Sequence, residues 1–77
     1  MPAAGSASVH SAPESTWRNR ILDELGDVAN RAVKLNHFVR SDEFLALDRR
    51  DQELLERQLR LMNDYANTLA ERLRMSR

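Results

Sequence analysis

Seventy-seven residues suffice for one domain, and at that length a single apolar core is marginal unless disulfides, a structural metal or a partner chain adds stability. The absence of cysteine removes disulfides, thiolate zinc sites and cysteine nucleophiles, and fits a reducing compartment. Twelve Lys and Arg balance 12 Asp and Glu, so no net field draws the chain to DNA or to an anionic membrane, and a bound anion has to be held by a local cluster.

The only imidazoles are His10 and His37, one in a polar tail and one in a helical stretch, a poor basis for a metal site, and no cofactor is expected. No apolar run reaches the roughly 20 residues that span a bilayer. The amino terminus lacks the basic region and apolar stretch of a signal peptide, and the expected location is cytoplasmic.

Met1 to Ser11 consist mainly of Ala, Ser, Gly and Pro, too poor in large apolar groups to offset the entropy of ordering. Residues 1–13 are therefore expected to form a flexible tail and 14–77 a helical hairpin domain. Ser11-Ala12-Pro13-Glu14 reads as a capping box with proline in the first turn, and Ser15 is an alternative cap. In the helix that follows, Ile21, Leu25, Val28, Ala32, Leu35 and Val39 recur at alternating steps of four and three, with Trp17 one turn earlier. Gly26 lies inside this pattern at a cost of about 1 kcal/mol relative to alanine, which signals either close backbone approach, the favoured reading, or a tolerated imperfection.

At Ser41-Asp42-Glu43 the pattern restarts with a fresh cap, and Phe44, Leu45 and Leu47 form one apolar turn before Asp48 caps again. From about Arg49 to Arg74, Leu55, Leu59, Met62, Ala66, Leu69 and Leu73 repeat the four-three rhythm. Matching seams predict an all-α fold, an antiparallel hairpin with a short helical corner. Beside the seams lie Leu22 and Ala29 on the first helix and Leu54, Leu61 and Tyr65 on the last, making each apolar face wider than one partner helix covers. Self-association into an oligomeric helix bundle is the simplest way to cover the remainder. Asp27 with Arg31, Glu53 with Arg57 and Glu56 with Arg60 place an acid four residues before a base, the mark of a solvated helix face.

Neither a phosphate-binding glycine loop, a nucleophile elbow nor a helical His pair occurs, and the chain is not expected to be an enzyme. Leu47-Asp48-Arg49-Arg50 followed by Leu54-Leu55 and Arg57 resembles the start of the all-helical chorismate mutases, but that family continues for two further helices where about one follows here.

A longer resemblance runs without gaps from Arg20 to Leu73. Arg20-Ile21 with Glu24, Arg31, Lys34-Leu35, Phe38-Val39, Ser41 and Phe44 are followed by Gln58-Leu59, Met62, Tyr65, Leu69, Arg72 and Leu73. This succession resembles the small phage anti-CBASS proteins known as cyclic-oligonucleotide sponges, and the Phe-Val-x-Ser-x-x-Phe corner is its most distinctive piece. The resemblance implies a hexameric homo-oligomer that sequesters cyclic dinucleotide and cyclic trinucleotide messengers in the bacterial host cytoplasm, making and breaking no bond. It also implies that a basic residue and a hydroxyl at the corner meet ligand phosphates, here Arg40 and Ser41. Their chemistry is suitable, since guanidinium forks and the N–H groups of a starting helix both favour phosphate oxygens. Leu25 occupies the place of a base-stacking aromatic and lacks a flat π face. Arg72, near the end of the last helix, is the candidate for a trinucleotide site replicated about a threefold axis. A plain helical interaction module is the alternative reading, with every feature explained by packing.

Overall fold

The two four-three seams become two long helices laid side by side. A computed structural model describes residues 13–75, and these form α1 (Pro13–Phe38), α2 (Asp42–Leu45) and α3 (Arg49–Met75), with no strand among them. Helices α1 and α3 pack against each other. Their direction is antiparallel, since Arg18 reaches Leu73 and Glu24 reaches Tyr65. The fold is the all-α hairpin that the spacing predicts. Ser11 lies outside the described residues, and Ser15 lies inside α1, so the helix begins ahead of the alternative cap.

Ile21, Val28 and Leu69 form the buried cluster, with Trp17, Leu25, Met62, Ala66 and Leu73 half-buried against it. Ala32 and Phe44 are buried as well. Every one of these residues except Phe44 belongs to a predicted seam, because steps of four and three keep one side of each helix on its neighbour. Gly26 departs from expectation. A Cβ built there meets nothing within 4 Å, so within one chain this glycine is a tolerated helix imperfection and not a point of close approach.

The corner closes the hairpin through side chains turned onto the backbone. The Ser41 hydroxyl donates to the Phe38 carbonyl at 2.6 Å and accepts the Phe44 N–H at 3.3 Å, capping both the end of α1 and the start of α2. Asp48 Oδ1 accepts the Asp51 N–H at 2.9 Å and caps α3. The Phe38 and Phe44 rings meet edge to face, with centroids 6.2 Å apart. Gln52 Nε2 then lies within 3.0–3.3 Å of the carbonyls of Phe44, Leu45 and Leu47. α2 ends at Leu45, so no further helical turn follows to take up these carbonyls, although Phe44 also accepts the Leu47 N–H at 3.1 Å, and a side-chain amide in the first turn of α3 stitches the corner down.

The second set of apolar residues is left uncovered. Leu22 is 50% exposed, Leu61 58%, and Leu54 and Tyr65 are also exposed, while Ala29 is half-buried. The acid and base residues predicted as four-apart pairs are all exposed. Among the described residues, however, the ion pair that forms is Arg50 with Glu53, three apart, at 3.6 Å. Solvent competes well with such surface pairs, and their side chains gain little by closing.

Candidate functional site

Arg40 and Ser41 sit at the corner, Leu25 in the middle of α1, and Arg72 one turn before the end of α3. From Arg49 to Arg72 the helix rises roughly 35 Å at about 1.5 Å per residue. One chain therefore does not bring the four candidate residues together. It offers a corner region and an open-end region at opposite ends of the hairpin.

At the corner, Arg40 is exposed, and among the described residues no ion pair engages its guanidinium. Ser41 is half-buried, its proton committed to the Phe38 carbonyl and one lone pair to the Phe44 N–H. An approaching phosphate oxygen can take N–H groups from Arg40, but the Ser41 hydroxyl donates to it only by releasing the end of α1. Leu25 is half-buried against Ile21, Val28 and Leu69, so its side chain forms part of the core wall.

Between the ends, a groove of about 480 Å³ is lined by Glu24, Asp27, Arg31, Gln58 and Tyr65 above Val28 and Met62. The Tyr65 hydroxyl donates to the Glu24 carboxylate across the groove and ties the two helices together. That hydrogen bond, with desolvation and the Glu24 charge, raises the Tyr65 pKa above the ordinary 10.0, and the Arg72 charge acts in the opposite direction.

At the open end, the Arg72 guanidinium carbon lies 5.5 Å from the centroid of the Trp17 ring, a cation–π arrangement. Arg18 Nη1 donates to the Leu73 carbonyl at 3.2 Å and pins the first turns of α1 to the last turn of α3. Beside the Trp17 and Arg72 pair is an open cavity of about 450 Å³, also lined by Thr68, Glu71 and Met75. Trp17 was legible as a seam residue, but its pairing with Arg72 spans 55 positions and has no local spacing signal.

The described residues form an all-α hairpin with exposed cations at both ends and an uncovered apolar stripe between them, and none of these helices is long and apolar enough to cross a membrane. A family model named Sequestin matches residues 15–75, and the chain belongs to the Sequestin family, whose name is compatible with sequestering a ligand. No curated protein and no solved structure matches the chain.

Proposed function

We propose that this protein is a non-catalytic capture protein that sequesters cyclic di- and trinucleotide second messengers in the bacterial cytoplasm during phage infection, keeping CBASS effectors from being triggered. Membership of a family named for sequestration supports capture. The observation that carries the reading is the state of the arginines: Arg40 at the corner and Arg72 at the open end are exposed, and among the described residues no acid holds either in an ion pair. A guanidinium fork left open to solvent is suited to phosphate oxygens. Self-association, as a hexamer, buries Leu22, Leu54, Leu61 and Tyr65 and multiplies each arginine around a symmetry axis.

The test is depletion. Purified protein is incubated with cyclic di- and trinucleotides, with linear and single-base nucleotides alongside, the protein is removed, and the ligand left in solution is assayed. Stoichiometric loss of a cyclic nucleotide supports the reading, and recovery of the unchanged ligand after denaturation shows capture without conversion. Arg40→Glu is expected to abolish capture of a ligand held at the corner without lowering helicity; equal capture by that variant shows that the corner is not the pocket. The same apolar stripe favours a second reading, a helical interaction module. A well-folded oligomer that depletes no nucleotide leaves that module standing and removes the messenger reading.

A further inference from the structure

The uncovered apolar residues of α3 lie on a stripe whose spacing reads the same in both directions. Leu54, Gln58, Leu61 and Tyr65 follow one another at steps of four, three and four, and all four are exposed. They border a groove of about 290 Å³ whose wall toward α1 includes Val28 and Met62. A second α3 turned end for end presents the same spacing. Leu54 of each chain then comes level with Tyr65 of the other, and Leu61 with Gln58.

The charges beside the stripe fix that direction and register. Arg50, Arg57, Asp64 and Glu71 recur every seven residues along the edge turned away from the α1 seam, and all four are exposed. A seven-residue repeat keeps its members on one flank of a helix pair, where charges decide partner and orientation. The order along the chain is two bases, then two acids. In the reversed arrangement Arg57 meets Asp64, and Arg50, which already touches Glu53 at 3.6 Å, meets Glu71, each contact being made twice. A parallel copy would set every one of these charges against its own like. On the edge toward α1, the hydrogen bond from Tyr65 makes Glu24 level with it, which brings Asp27 of one copy about level with Arg31 of the other. Asp51 comes level with Thr68 at the ends of the stripe, while Glu53 and Arg60 lie further round α3 and are exposed.

We propose that two copies of this chain pair through α3, antiparallel about a two-fold axis that passes between Gln58 and Leu61, with the Arg57 to Asp64 contacts fixing the register. The partner's Leu54 and Leu61 fill the groove that one chain leaves open. This rests on the self-association that the capture reading invokes, and it requires no nucleotide. Leu22 and Val33, 50% and 55% exposed, lie across the seam on α1 and are left uncovered by this pair.

The chain has no cysteine, so introduced thiols report this contact without background. The full chain carrying Leu54→Cys and Tyr65→Cys together is oxidised and run on a denaturing gel, beside each single variant and an equal mixture of the two. Within one chain these positions are three turns apart, roughly 16 Å, beyond the reach of a disulfide, and across the axis each position is as far from its own counterpart. A covalent dimer is expected from the double variant and from the mixture, and none from either single variant alone. Efficient cross-linking of a single variant alone overturns the antiparallel pair. Because Tyr65→Cys also removes the hydrogen bond to Glu24, a second measurement leaves the stripe intact. Arg57→Asp and Asp64→Arg should each weaken association by roughly tenfold or more in sedimentation, and the two combined should restore it, with helicity unchanged. The two residues are two turns apart within one chain, roughly 10 Å, so rescue arises between copies. An assembly larger than one chain that shows neither cross-link nor rescue overturns this pair while self-association stands, and a folded single chain overturns both. A cross-linked pair that depletes no nucleotide supports the contact and removes the messenger reading.

Discussion

At the corner, polar side chains are turned inward onto the backbone: Ser41 bridges Phe38 and Phe44, Asp48 caps α3, and Gln52 serves three carbonyls. At the open end, Arg72 and Glu71 instead face an open cavity beside Trp17. The contrast separates two uses of polar groups in a small helical protein. Groups that satisfy chain ends have few hydrogen-bonding positions left for a ligand, whereas a cation resting on a ring retains its N–H groups. Of the two corner residues expected to meet phosphate, Arg40 remains available in this sense and the Ser41 proton is engaged within the chain.

Several substitutions bear on this contrast, beginning with the largest effect. If the corner is a packed unit, Phe44→Ala, at a side chain only 4% exposed, should destabilise the protein by about 3–5 kcal/mol in denaturant unfolding at fixed protein concentration. A loss below about 1 kcal/mol would show that the corner is held mainly by its hydrogen bonds. Gln52→Leu keeps a similar volume and strips the amide from three carbonyls, with an expected loss of about 1–3 kcal/mol in the same measurement. Neither substitution should alter Trp17 emission in the folded state, since both lie at the far end of the hairpin.

Much of this architecture was legible because its causes are local. The four-three steps place Ile21, Val28 and Leu69 on facing sides, and Ser41 and Asp48 are caps by residue type and position. What escaped the sequence depends on contacts across the turn. Gln52 looks like any polar residue in a first helical turn, and only the path of the chain from Phe44 to Leu47 brings three carbonyls to its amide. Tyr65 with Glu24 and Arg72 with Trp17 join residues 41 and 55 positions apart, too far for any helical period to reveal. A helix-interior glycine such as Gly26 signals either close approach or a simple imperfection, and only the open space at its Cβ position decides for the second.

Gly26 also probes what covers the exposed stripe. With open space around its Cβ position, Gly26→Ala should raise stability by about 1 kcal/mol through helix propensity alone. A loss accompanied by a smaller oligomer would place a second copy against that face. The smallest effect concerns Tyr65. Its raised pKa means that the folded state favours the neutral phenol, so the contribution is fully present below pH 10.0 and lost as pH rises through the raised value. Tyr65 is 43% exposed, so solvent screening keeps the effect small. Tyr65→Phe should flatten the alkaline fall in thermal stability without altering stability's pH dependence near neutrality.

Sedimentation velocity of the full chain mixed with a cyclic dinucleotide or trinucleotide, followed at the nucleotide's absorbance, tests the central claim most directly. The account predicts that nucleotide travels with a protein boundary larger than one chain. A folded single chain sedimenting alone, with all nucleotide left behind in the free pool, would contradict it.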